Sequence, residues 1–179
     1  MRRLPNPGRR PLPGSQSKSL DVFLMELPRN LRIDSVARLT PSPPRAIESA
    51  RPVTEAIRLM REANVGCLLV TDAGRLVGIF TERDLLTRVL AKELALESAI
   101  RHCMTPEPVT VSPKDPVRLA IRRMQKGGYR HLPVVDESGC PVGILSAQQV
   151  VHYLAEHFPT LIFNQPPEPN QYPEHPEGS

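Results

Sequence analysis

The 179-residue chain has no tryptophan, and aromatic residues make up only 4% of it. Any core must therefore be built from aliphatic side chains, chiefly Leu, Val, Ile and Ala. Cysteine is scarce as well. Cys67, Cys103 and Cys140 are odd in number and widely spaced, with no CxxC pair, a pattern that offers neither a disulfide framework nor a zinc site. The five histidines are scattered, without a pair at ligand spacing on a common face, so no metal is expected. No apolar run approaches the roughly 18 residues that span a bilayer. The run Val22 to Met25 is too short for the core of a signal peptide. These absences predict a cytoplasmic protein with no membrane contact.

Charge is unevenly spread. The first twenty residues carry Arg2, Arg3, Arg9, Arg10 and Lys18 and no acid, which is +5 against +4 for the whole chain. The remainder of the chain therefore sums to −1, so the basicity belongs to an arm, and the body lacks the charge of a nucleic-acid binder. Five cations without interleaved aromatics are too generic to indicate a nucleic-acid tether. Residues 1–32 read as a basic, Pro-rich arm with a short leader, and 159–179 as a Pro-rich acidic tail. Many of the 21 prolines lie in these ends, which leaves ordinary globular sequence between them.

That middle repeats itself. Val53-Thr-Glu-Ala-Ile-Arg-Leu-Met60 aligns with Val117-Arg-Leu-Ala-Ile-Arg-Arg-Met124. At nearly the same offset, Gly78-Ile-Phe-Thr81 aligns with Gly143-Ile-Leu-Ser146, and Thr40-Pro41 with Thr105-Pro106. Each repeat, 33–99 and 100–158, reads β-α-β-β-α. In the first helices Ala56, Ile57 and Met60 make one apolar face. Pro52 and Pro116 suit the first helical position, with Asp115 as a cap before the second of them. Asn64 and Gly127-Gly128 suit left-handed helix ends. Short strands follow at Cys67 to Thr71 and Leu76 to Phe80, matched by Leu132 to Val135 and Val142 to Leu145. A unit of about 60 residues buries little by itself, so the fold expected is α+β, with two repeats packed sheet to sheet.

Thr-Pro at the entry, the xxxxAxxxM helix, a Leu-x-Val-x-Asp strand and turn, and Gly-h-x-[Thr/Ser] opening a helix resemble the CBS domain. Two in tandem resemble a Bateman module over roughly Ile33 to Phe158. The resemblance implies a ribose site at Gly78-Ile79-Phe80-Thr81-Glu82-Arg83-Asp84, with Gly78, Thr81 and Asp84 at the sugar. An ionised carboxylate accepts hydrogen bonds from both ribose hydroxyls. Thr81 with Asp84, and Ser146 with Gln149, also read as helix capping boxes, and both roles can coexist. The resemblance places the phosphate grip at Arg130 and His131, and the adenine along Ala46 and Ile47 against Ile79. The equivalent second site would pair Ser146 and Gln149 with Gly66 and Cys67. There the carboxylate has become an amide and the basic pair is gone, so one competent site per chain is expected.

The implied function is a regulatory sensor of an adenine nucleotide (AMP, ADP or ATP, with S-adenosylmethionine also possible) acting on a regulated protein the sequence does not name. The alternative is a protein-interaction scaffold with a vestigial site. No enzyme is expected, because no nucleophile has an adjacent base and no glycine loop cradles phosphate. Leu85, Leu86, Val89 and Leu90, with Val150, Val151 and Leu154, exceed the apolar surface that one face of a small sandwich needs. They predict a homodimer through the second helices.

Overall fold

The computed structural model describes residues 34–157. The basic arm and the acidic tail lie outside the described residues. The first repeat runs β1 (Ala46–Glu48), α1 (Val53–Ala63), β2 (Cys67–Asp72), β3 (Arg75–Thr81) and α2, a turn at Glu82–Asp84 that widens to π-helical spacing over Leu85–Leu90. Next come β4 (Thr105–Pro106), α3 (Val117–Gly127), β5 (His131–Val135), β6 (Pro141–Ser146) and α4 (Ala147–His157). The first sheet is ordered β1-β2-β3-β4 and the second is the β5-β6 pair. Val111, bridged in parallel to Val134, stands where the second repeat would have its own first strand.

Period-2 patterning explains how one strand serves two packing faces. Leu68 and Val70 of β2 point to the helices and join the core with Val53, Ala56, Met60, Phe80 and Val89. Cys67 and Leu69 point the other way, where with Ile79 they meet Ile144 of the second repeat. That seam is the sheet-to-sheet contact. α1 ends at Asn64 (φ 50°) and α3 at Gly128 (φ 64°), both left-handed as the sequence suggests.

The entry segments cross over. Val36 and Leu39, in a short 3₁₀ turn (Val36–Leu39) ahead of the first repeat, are buried in the core of the second. Ile100 and Cys103, from the corresponding turn (Ile100–His102), are buried in the core of the first. Backbone bonds follow the same exchange. Val117 N donates to Asp34 O at 2.8 Å and Val53 N donates to Ser98 O at 3.0 Å. Each first helix thus has its leading N–H satisfied by the other repeat's entry. This corrects the capping expectation. Pro52 and Pro116 sit at the N-cap in extended conformation rather than inside the helix, without a side-chain cap. Asp115 accepts instead from Ser112 N at 2.9 Å.

Past the turns, Thr105 and Pro106 pair with Ile79 and Gly78, and Ser42 exchanges two backbone bonds of 2.9 Å with Ile144. Gly78 and Gly143 lie under these crossings. A methyl on Gly78 would fall on Met104 Sδ, and one on Gly143 would meet Pro41 Cβ at 3.0 Å. The second helices hold the entries from outside. Arg88 Nη1 donates to Met104 O, and Tyr153, at the equivalent place on α4, donates its hydroxyl to Asp34. Tyr153 is buried, and Leu154 packs partly buried against the same core.

Gly78→Ala is expected to cost about 1–3 kcal/mol by overpacking. Denaturant unfolding should show a smaller cost in a Met104→Ala background, since the two positions share one space. An equal cost in both backgrounds would mean the crossing does not demand this glycine.

Candidate functional site

The sequence points to the two helix starts, and the structure lets them be compared. At the first, Thr81 Oγ1 accepts from Asp84 N at 3.2 Å, and Asp84 Oδ2 accepts from Thr81 N at 3.0 Å. At the second, Gln149 N donates to Ser146 Oγ at 3.2 Å, and Ser146 N to Gln149 Oε1 at 2.8 Å. Both are capping boxes. Each also reaches the entry of the other repeat. Thr105 Oγ1 donates to Asp84 Oδ1 at 3.2 Å, whereas Gln149 Nε2 donates to Thr40 O at 2.8 Å.

Asp84 is only 7% exposed. Its Oδ2 takes the Thr81 N–H and, at 2.7 Å, the Thr81 hydroxyl. Its Oδ1 accepts from Thr105 Oγ1 at 3.2 Å and forms an ion pair with Arg88, whose Nε lies at 3.2 Å. A carboxylate has about four acceptor positions, of which three are taken by hydrogen bonds while Arg88 pairs with the charge. Asp84 is therefore a buried junction between its own helix start and the other repeat's entry.

Gly78 and Ile79 lie beside Thr81 on β3, but Gly78 gives its space to Met104. Ala46 and Ile47 are not brought to Thr81 and Asp84. Ala46 pairs with Leu69, which pairs with Ile79, so β1 stands two strands away from β3, about 10 Å. Ile47 is buried in the first core. The segment beside β3 is the crossing Thr105–Pro106, which the sequence reading had not attached to this site.

Arg130 and Gly66 hold equivalent places. Arg130 O accepts from Ala147 N at 2.8 Å and Gly66 O from Glu82 N at 3.1 Å, each at the start of a second helix. The Arg130 side chain is exposed and has no ion pair among the described residues. His131 pairs with Ser146 on the β5-β6 ladder and feels the charge of Glu82, which places it on the seam between repeats. Burial lowers its pKa below the ordinary 6.5, Glu82 opposes that shift, and Arg130 adds to it. The Cys67 thiol, also on the seam, is pushed up to about 11 by burial and by Glu82.

Open space lies beside Ala46, where about 360 Å³ is bounded by Pro44, Arg45, Leu59 and Leu68, and at the second helix start. A cavity of about 340 Å³ is bounded by Ser42, Arg45, Asn64, Gly66, His131 and Gln149 among others. The start with an amide in place of the carboxylate thus borders a cavity, which sequence comparison of the two halves does not reveal. No group of three or more His, Cys, Asp or Glu among the described residues could hold a metal ion. No helix among them is long and apolar enough to cross a membrane.

With this geometry in place, comparison with known proteins defines the class. The CBS domain model matches residues 36–91 and 99–156, and the chain belongs to the CBS domain family as a tandem pair. The Arabidopsis thaliana CBS domain-containing protein CBSCBSPB3 is 30% identical over 102 residues, 56% of this chain but 18% of that protein. The chain thus spans under a fifth of that relative's length. An uncharacterized 17.7 kDa protein of Acidianus ambivalens is 32% identical over 117 residues, 65% of this chain and 70% of that one. Among solved structures, a Pyrobaculum aerophilum CBS domain protein complexed with AMP matches at TM-score 0.61 and 27% identity, covering 69% of this chain and 99% of that one. A CBS domain pair solved with 5′-methylthioadenosine and S-adenosyl-L-methionine matches at TM-score 0.63 and 27% identity, covering 69% and 98%.

The lowered pKa of His131 sets a sign for stability. The unfolded chain takes up the proton first, so this contribution is intact above pH 6.5 and is lost as the pH falls from 6.5 through the folded value. Urea midpoints at pH 7.5 and 5.5 should differ less in His131→Gln than in the wild type. An unchanged difference would assign the acid sensitivity to other groups.

Proposed function

We propose that the chain is a regulatory module that binds an adenine nucleotide at the junction of its two repeats and has no catalytic role. The observation that carries this reading is Asp84, a buried carboxylate on the seam, held partly by hydroxyls that a ribose diol can replace. In this reading Thr81 and Asp84 take the ribose, Gly78 and Ile79 line the strand beside it, and Arg130 and His131 take the phosphates. A guanidinium without an ion pair among the described residues, next to a histidine on the seam, suits that last task. The AMP and S-adenosylmethionine complexes of structural neighbours support adenosine as the common element.

Displacement of Thr105 by a ligand hydroxyl would also give the ligand a lever. Thr105 belongs to the crossing entry, and Arg88 ties Asp84 to Met104 O in the same segment. A nucleotide that takes over Asp84 Oδ1 therefore loosens the second repeat's entry on the first repeat's sheet. The open cavity beside Gln149 favours a second reading, in which the ligand lies there against Ser42, Arg45 and Asn64.

Calorimetric titration with AMP separates the two. One AMP per chain is expected, with affinity lost in Asp84→Asn, kept in Gln149→Ala and raised in Thr105→Val, which removes the competitor. Loss in Gln149→Ala with Asp84→Asn unaffected would move the ligand to the open cavity. No heat with AMP, ADP, ATP or S-adenosylmethionine would leave a protein-interaction scaffold.

A homodimer is part of the proposal, as a platform from which a regulated protein reads the nucleotide state. Leu86 and Leu90, 60% and 56% exposed, lie one turn apart on α2, and Val151, 58% exposed, holds on α4 the position of Leu86. Light scattering at micromolar concentration should give twice the 19.9 kDa chain mass, and Leu86→Lys with Leu90→Lys should halve it. A wild-type mass equal to that of one chain would contradict the dimer.

A further inference from the structure

The cavity beside Gln149 and the one beside Ala46 both border Arg45 and Ala63. Together they form one passage from a helix start to the outer edge of the first sheet. The matching passage on the other side starts at Asp84. Arg130 and His131 hold there the places of Gly66 and Cys67, and Gly127 holds that of Ala63. The residues proposed for sugar and phosphate thus line its beginning.

Strand pairing fixes its far end. Val70 pairs with Ile47 and Gly78, and Val134 with Val111 and Gly143, so Val111 stands for Ile47 and Thr110 for Ala46. Arg123 follows Val117 on α3 as Leu59 follows Val53 on α1. Val111 spends its N–H and its carbonyl on Pro133 and Val135, at 2.9 Å each, so the carbonyl of Thr110 faces away from β5. Arg123 Nη1 donates to that carbonyl. Leu59, beside Ala46, has nothing to donate and leaves about 360 Å³ open. A guanidinium therefore stands on the Asp84 side where the other side has space. It is a costly filler, because a long side chain loses rotamer freedom there. Its pair with Asp115, at 3.6 Å and partly exposed, returns little. The ring of Tyr129, at the place of Val65, covers Gly127 and gives the passage a flat wall.

We propose that Arg123 fills the base pocket of the nucleotide site and that an adenine displaces it, the exocyclic amine of the base taking over the carbonyl of Thr110. The proposal rests on the reading above, with the sugar at Asp84. A ligand that entered without a donor would leave that carbonyl unpaired, which is costly. Arg123 thus sets affinity, as an internal competitor. Thr110 sets selectivity, for a base with an amine where hypoxanthine carries an oxygen. The released guanidinium is left to Asp115.

Calorimetric titration of the full chain with AMP and with IMP, which differ in that group, tests this. Wild type should bind AMP about tenfold or more tightly than IMP. Arg123→Leu, which copies the first repeat, should bind AMP about tenfold more tightly than wild type, the worth of one charge-assisted hydrogen bond that no longer has to be broken. The reciprocal Leu59→Arg should leave AMP binding as it is. Should Arg123→Leu not fold, Arg123→Gln, with a weaker neutral donor, should still gain about threefold. Equal AMP affinity in wild type and Arg123→Leu, with binding lost in Asp84→Asn, would overturn this inference and leave the nucleotide reading standing. So would IMP bound as tightly as AMP. Loss of AMP binding in Leu59→Arg would move the base beside Ala46 and overturn the proposal. AMP bound by Arg123→Leu and not by wild type would support the plug and show that the native chain keeps its site shut. No AMP binding by any of these proteins would overturn both readings.

Discussion

The structure depends on one exchange: each repeat is completed by the other's entry segment. Val36 and Leu39 fill the second core, and Ile100 and Cys103 fill the first. A sheet with two helices on one side leaves part of its core open, and a unit of about 60 residues cannot close it alone. The crossing closes both cores. It also satisfies the leading N–H groups of α1 and α3, which have no side-chain cap, and lengthens each sheet by one pairing partner. Glycine is needed at 78 and 143 because another segment passes over those strands.

The crossing also determines what the helix starts can do. Because Thr105 comes to lie beside Ile79, the carboxylate of Asp84 is shared between its own helix and the other repeat's entry. At the equivalent place Gln149 spends its amide on Thr40 and Ser42 and leaves a cavity beside it. One junction is charged and closed, the other neutral and open. A ligand at either must act on an entry segment, and so on the repeat to which that segment belongs in sequence.

Much of the architecture was legible in the sequence, because period and punctuation act within an element. The alternation in Cys67–Asp72, the face of Ala56 and Met60, and the left-handed ends at Asn64 and Gly128 are local facts. What could not be read is which core an entry turn joins. Val36 and Ile100 look the same whichever way they fold. That one unknown accounts for two differences: the cap assigned to Asp115, and the place of Thr105 beside Asp84. The repeated Thr-Pro ahead of each unit was the signal for the crossing. A motif that precedes its own first strand has no partner within its own repeat.

If each repeat is completed by the other, neither can open alone. Native-state hydrogen exchange followed residue by residue tests this most directly. The slowest amides of the β2-β3 ladder and of the β5-β6 ladder should exchange through a single opening, with equal free energies and equal denaturant dependence. Two openings of different free energy, one for each ladder, would contradict the account and leave the crossing a surface contact between independent domains.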